Sequence, residues 1–307
     1  MRVLVVGAGA LGGYFGGRLL AAGRDVTFLV RPRRAEELAR DGLRIESRFG
    51  DLHLGTPPTV LAEDLRQPFD LVLLSCKAYD LEAAMDAFAP AVGAGTAILP
   101  LLNGMAHLDA LEARFSSEAV LGGVALIGAT LRDGTVVHLN DAHGVIFGDR
   151  AGGIPARIEA IAAVMAGAGF DARASDAILL EMWEKWVMLA SLAAGTCLMR
   201  APVGAIVAAP GGRELMIGLH EEATAVATAA GREPRAPAVE RTRAMLTTPK
   251  SAFSASMLRD LEGGGRTEAD HIIGDLVRRG EAAGVPCRLL RLAYTHLKAS
   301  EARRATA

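Results

Sequence analysis

The sequence predicts an α/β domain built on a parallel sheet, followed by a wholly helical domain, and three observations carry that expectation. A run of β-branched and leucine residues, Val3 to Val6, leads directly into Gly7-Ala8-Gly9-Ala10-Leu11-Gly12 and a helix of small and apolar residues. Short continuous apolar runs of the buried-strand kind recur at Val26–Val30, "FDLVLLS" (Phe69–Ser75) and "TAILPLL" (Thr96–Leu102), with a helical stretch from Leu81 to Ala89. After about Ser175 the strand signals fade and helix follows helix.

With 307 residues the chain is long enough for two ordinary domains, and 51% hydrophobic residues against 22% charged ones supply an ample core. A formal net charge of −2, with basic residues scattered apart from Arg31, Arg33 and Arg34, removes the electrostatic case for nucleic acid or an acidic membrane. Cys76, Cys197 and Cys287 lie far apart and in no metal-ligand spacing. Reduced thiols in a cytoplasmic protein, without disulfide framework or metal, are the expectation. The longest apolar run late in the chain, Trp186 to Ala190, is far too short to span a bilayer.

The first 23 residues, "MRVLVVGAGALGGYFGGRLLAAG", also have the basic, apolar and small residues of a secretion signal. A second strand, Val26 to Val30, arrives after the Gly23-Arg24-Asp25 turn, as the strand–turn–helix–strand context of a dinucleotide-binding motif requires. This is the Rossmann arrangement. Gly7 permits the tight turn, Gly9 lets backbone approach a pyrophosphate, and Gly12 lets helix pack on strand. The phosphates would sit on free N–H groups at the positive end of the helix, against residues 7–12. An NAD-binding protein usually ends its second strand on Asp or Glu, for the ribose 2′-hydroxyl. Here the position holds Arg31, which suits a 2′-phosphate, so NADP(H) is expected over NAD(H); a solvated basic loop is the alternative.

Within Ala119–Phe147 the Asp133-Gly134 hairpin signal predicts an extra antiparallel strand on one side of the parallel sheet. A helix over 155–168 and a strand near Phe170 complete a nucleotide-binding domain of residues 1–174. Residues 175–307 form the helical, substrate-binding domain, with helices over 176–194, 211–231, 235–248, 267–283 and near 288–301.

Polar residues in unusual places are the candidates for function. Lys77 follows the strand "LVLLSC" and Asn103 follows "AILPLL", which puts both beyond carboxyl ends of parallel strands, where open α/β sheets bind ligands. Both also suit an ordinary strand end or turn. Lys185 shares a helix face with Ile178, Met182, Leu189 and Leu192, where a charge costs desolvation unless it has a partner or a purpose. An ion pair with Glu181 is one account; a lysine of lowered pKa that delivers a proton is the other. Glu268 begins helix 267–283, favourable electrostatically in a first turn and also suited to a hydroxylated substrate. Ser256, one loop upstream, offers a further hydrogen bond. The histidines form no tight cluster and are read as structural or surface residues, His271 among them.

The ordered set GxGxxG, "CKAYD", "LLNGM", "WEKW" and "SML…GGRTEAD" resembles the 2-dehydropantoate 2-reductase (ketopantoate reductase) family over essentially the whole chain. The resemblance implies NADPH-dependent reduction of ketopantoate to pantoate, on the route to pantothenate and coenzyme A. It implies Lys185 as general acid to the carbonyl oxygen and Glu268 as the acid that engages substrate and organises the site. Asn103 would lie near nicotinamide and substrate, Lys77 would switch between cofactor and substrate contacts, Ser256 would bind the substrate carboxylate, and Arg31 the 2′-phosphate. One departure is plain: Leu189 and Ala193 stand where the family carries asparagines directed at the substrate. Ketopantoate therefore competes with a different, more apolar 2-oxo acid or a 3-hydroxy acid. A non-catalytic NADPH-binding regulatory protein is the alternative of another class. The expected partner is a small-molecule 2-oxo acid, and a homodimer is left open.

Overall fold

A computed structural model of the chain describes residues 1–305. They divide into two compact units, one of residues 1–102 and 107–178, the other of residues 103–106 and 179 onward.

The first unit contains two sheets. Strands β1 (Arg2–Val6), β2 (Asp25–Leu29), β5 (Thr59–Val60), β6 (Leu71–Leu74) and β7 (Ala97–Pro100) form an all-parallel sheet in the order β5-β2-β1-β6-β7. Val3–Val6 and Leu71–Leu74 are buried throughout, as strands covered on both faces must be. Chain order reverses between β1 and β6, so the carboxyl ends of these strands form the crevice where such sheets take ligands.

The second sheet runs β10-β9-β3-β4, with β8 paired to β9; its strands are β3 (Leu43–Glu46), β4 (Leu52–Leu54), β8 (Gly122–Arg132), β9 (Thr135–Gly148) and β10 (Asp171–Ala174). Asp133-Gly134 does turn the β8–β9 hairpin, with Asp133 at φ 48° and Gly134 at φ 80°. The hairpin is not an added strand of the parallel sheet, however. It joins the second sheet, and one bridge, Ile98 to Val120, links its approach to the first. The weakly apolar strands β3 and β4 carry no strong sequence signal, and they are what gives the hairpin a sheet of its own.

Helix α1 (Ala10–Ala21) lies between these sheets because it is almost without side chains on two faces. A Cβ on Gly16 would meet Phe28 and Val5 of the parallel sheet at 2.6 and 2.9 Å. A Cβ on Gly17 would meet Ile45 and Leu43 of the second sheet at 2.8 and 2.9 Å. Helix α2 (Pro32–Asp41) starts where a basic loop was the alternative reading: Arg31 precedes it, with Pro32 in its first turn. Helices α3 (Leu81–Phe88), α4 (Ala106–Phe115) and α5 (Ala156–Met165) complete the crossovers. His138 and His143 correct the expectation of unclustered histidines. Their ring centroids are 5.7 Å apart, and Phe49 stacks on His143 at 4.0 Å.

The second unit is helical: α6 (Ile178–Met199), α7 (Val203–Ala208), α8 (Gly212–Ala229), α9 (Ala236–Leu246), α10 (Ser256–Glu262), a π-helical turn Asp270–Gly274, α11 (Asp275–Ala282) and α12 (Arg288–Ala305). Helix α6 is buried along most of its length, from Ile178 to Cys197. Ser256 is the first residue of helix α10, a helix absent from the expected set. Among the described residues no helix is long and apolar enough to cross a membrane.

Candidate active site

In the first unit the glycine turn joins β1 to α1. Gly7 has φ +90° and its N–H reaches the Leu29 carbonyl at 2.9 Å. A Cβ on Gly12 would lie 2.0 Å from the Gly7 carbonyl and 2.3 Å from Ser75 Oγ, so packing alone forbids a side chain there. Gly9 differs: its backbone is extended and a Cβ would meet nothing within 4 Å. The chain's own packing therefore leaves Gly9 unexplained, while a pyrophosphate lying close against the backbone would explain it. No side chain caps the N-terminus of α1 and no acidic residue occupies its first turn, which suits an anion. These residues, Ala8, Ala10 and Leu11 included, fit a dinucleotide.

Ser75, just past β6, was not singled out from the sequence. Its hydroxyl donates to the Val6 carbonyl at 2.9 Å and so fixes the end of β1 against the end of β6. Lys77 follows as an exposed residue beside the same strand ends.

The three arginines after β2 separate into different roles. Arg34, with its side chain only 14% exposed, donates to the Ala8 carbonyl at 3.1 Å and the Gly134 carbonyl at 3.3 Å, and pairs with Glu37. It braces the glycine turn. Arg33 is 92% exposed and pairs along its own helix with Glu37. Arg31 is 76% exposed and meets Asp80, in the "CKAYD" segment, at 3.1 Å. It is the arginine of the three that stands at the strand end with its head in solvent.

In the second unit, Lys185 sits half-buried on α6. Burial pushes its ammonium down to about 8, and the Glu268 carboxylate opposes that shift. Glu268 is thus a charge that acts on it. Glu268 does not open a regular helix. It stands just before the π-helical turn, where its carbonyl accepts the N–H groups of His271 at 3.1 Å and Ile272 at 2.9 Å. Asn103 and Gly104 also belong to this unit. Gly104 has φ +80°, and a Cβ on it would come within 3.0 Å of the His271 ring. His271, structural on the sequence alone, thus packs against Gly104 while its backbone N–H is bonded to the Glu268 carbonyl. Its spacing of three residues from Glu268 was the available signal.

Ser256 is exposed on the first turn of α10, and the preceding residue connects it to the helix of Lys185: the Ala255 N–H reaches Thr196 Oγ1 at 3.4 Å. Thr196 lies three turns beyond Lys185 on nearly the same face. Between them come Leu189, half-buried, and Leu192 and Ala193, buried.

Residues 3–152 match the model of the family described as "Ketopantoate reductase PanE/ApbA", and residues 177–301 match its C-terminal counterpart. The chain belongs to the ketopantoate reductase family. It is 36% identical over 304 residues to an "uncharacterized oxidoreductase YkpB" of Bacillus subtilis, covering 98% of this chain and 99% of the relative. With a 2-dehydropantoate 2-reductase of Archaeoglobus fulgidus it shares 34% identity over 291 residues, 94% of each. Among solved structures, a 2-dehydropantoate 2-reductase of Geobacter metallireducens superposes with a TM-score of 0.89 at 31% identity, covering 98% of this chain and all of the other. A D-mandelate dehydrogenase solved with NADH and anilino(oxo)acetate shares the fold at a TM-score of 0.88 and 21% identity, covering 99% and 100%. Membership of the family makes the protein an oxidoreductase.

Proposed function

We propose that the protein reduces a 2-oxo acid to the corresponding 2-hydroxy acid with NADPH, and that ketopantoate is the leading substrate. The observation that carries this reading is Lys185 on the apolar helix α6: an ammonium brought to about 8 by burial, a shift that the Glu268 carboxylate opposes. When bound, NADPH supplies the hydride that adds to the carbonyl carbon. Lys185 donates the proton to the carbonyl oxygen as negative charge develops there, and solvent later restores it. Glu268 sustains the charge on Lys185 and accepts a hydrogen bond from substrate. Asn103, Ser256 and Lys77 orient the acid, and the turn from Gly7 to Gly12 with Arg31 binds the nucleotide and its 2′-phosphate.

A second reading, a more apolar 2-oxo acid on the same machinery, is favoured by Leu189 and Ala193 along the face of α6 beyond Lys185. The fold does not choose between them, since a D-mandelate dehydrogenase shares it. NADPH oxidation by the purified protein with ketopantoate, beside bulkier and more apolar 2-oxo acids, tests both. Best turnover with ketopantoate supports the first reading, and best turnover with an apolar acid replaces it by the second. Tight NADPH binding without oxidation by any 2-oxo acid overturns both in favour of a regulatory role.

A further inference from the structure

Glu268 lies in a short segment whose residues on either side are tied to one stripe of helix α12. Before it, the buried Thr267 hydroxyl donates to Glu301 Oε1 at 2.6 Å and accepts the Ala269 N–H at 3.4 Å, so a single hydroxyl brackets Glu268. After it, Asp270 accepts the Tyr294 hydroxyl at 2.5 Å and the Lys298 ammonium at 2.9 Å. Lys298 also donates to Glu301 Oε2 at 2.8 Å, which closes the set. Tyr294, Lys298 and Glu301 are spaced i, i+4, i+7 and so share one face of the helix. At the far end of the π-helical turn, a Cβ on Gly274 would lie 2.8 and 2.9 Å from atoms of the Tyr294 ring. The turn is thus fitted against the same stripe, and turns of this kind recur at functional sites.

We infer that Lys298 is a positioning residue: by joining Asp270 to Glu301 it holds the chain on both sides of Glu268 and so fixes that carboxylate for substrate and for Lys185. Stability alone explains the arrangement poorly. The side chains of Lys298 and Asp270 are 42% and 63% exposed, and ion pairs so open to water contribute little to the fold. What they supply is direction. One ammonium meets both carboxylates, and each carboxylate has a second partner, Thr267 or Tyr294, that places it. The Glu268 carbonyl is meanwhile engaged by the N–H groups of His271 and Ile272, so the backbone that bears the acid is restrained from both directions. Hydrogen bonds from Lys298 to Glu301 and Asp270 push its ammonium up, and it stays charged while Lys185 titrates.

The inference rests on the proposed role of Glu268, so its test has one readout that needs no substrate. Lys298→Met removes the ammonium and keeps the length of the side chain; Lys298→Arg keeps donors for both carboxylates. Amide hydrogen exchange at Ala269, His271 and Ile272, whose N–H groups end on Thr267 and Glu268, is measured in wild type and both variants. Exchange is expected to quicken at least about tenfold in Lys298→Met and to return toward wild type in Lys298→Arg. With a 2-oxo acid that wild type turns over, kcat/KM for the acid is expected to fall about 10- to 100-fold in Lys298→Met, as misplacement of a reacting group by an ångström does. The alkaline limb of its pH profile should move to lower pH, because a displaced Glu268 sustains less charge on Lys185. NADPH affinity should stay unchanged, and Lys298→Arg should recover most of the loss. Unchanged exchange in Lys298→Met overturns the tie, whatever the activity. Quickened exchange with kcat/KM and the alkaline limb both unchanged overturns the role in positioning. A fall in kcat/KM that leaves the limb in place and weakens NADPH as much also overturns it, because the loss would then be general. Absence of turnover in wild type is a failure of the proposed function, and the exchange result still decides the tie.

Discussion

Trp186 Nε1 lies 2.9 Å from the Ile272 carbonyl, so the residue adjacent to Lys185 is bonded to the turn that follows Glu268. The bond is buried, and it sets the helix of the ammonium against the segment of the carboxylate without using either charged group. A buried carbonyl deprived of its donor costs about 1–3 kcal/mol. Trp186→Phe should therefore lower stability by about that amount, beyond which some packing is lost too. Urea unfolding measures it, and an unchanged midpoint would mean the bond contributes nothing.

Lys185→Ala should reduce kcat by about 10²- to 10⁴-fold, the range of a lost general acid, with NADPH affinity nearly intact. Stopped-flow hydride transfer and fluorescence titration of NADPH measure the two quantities separately. Wild-type turnover would remove Lys185 from the mechanism.

The direction of the Lys185 shift fixes the pH dependence. A general acid must be protonated, and the ammonium titrates at about 8 rather than 10.5. For reduction, kcat/KM should be flat below that value and fall as pH rises through it. Glu268 raises the pKa, so Glu268→Gln should move the alkaline limb to lower pH as well as slow the reaction. A limb that stays in place in Glu268→Gln, or one near the ordinary lysine value, would contradict the coupling.

Arg31 and Arg34 should differ in kind. Arg31→Ala should weaken NADPH by about 1.5–3 kcal/mol, the range for hydrogen bonds to charged groups, and leave NADH almost unaffected. Arg34→Ala breaks the bonds to the Ala8 and Gly134 carbonyls, so it should weaken both nucleotides alike and lower the Tm. Titration of each variant with both nucleotides decides it, and equal losses in Arg31→Ala would make that arginine structural.

Gly9 and Gly12 make a matched pair. Gly12→Ala forces a methyl against the Gly7 carbonyl and should cost the fold itself. Gly9→Ala meets no protein atom, so the Tm should hold while NADPH affinity drops by tenfold or more, about 1.4 kcal/mol. If Gly9→Ala binds NADPH normally, the phosphates lie elsewhere.

Local sequence determined the parallel sheet, the glycine turn and the helical second half. Apolar runs such as "LVVG" and "LVLL" specify buried strands by their own burial, and a glycine turn between strand and helix has few other structures open to it. Lys185 was legible because a charge on an apolar helix face is conspicuous at any distance. The second sheet was not legible, since β3 and β4 are short and half-exposed, and only their pairing beside β9 makes them strands. Nor were the roles of Arg34 and Ser75. Each acts through a backbone carbonyl far away in sequence, Ala8 and Val6 respectively, and a carbonyl is the same in every residue. Side-chain chemistry and its periodicity are written in the letters. Which carbonyl a side chain reaches is decided only when packing brings the segments together.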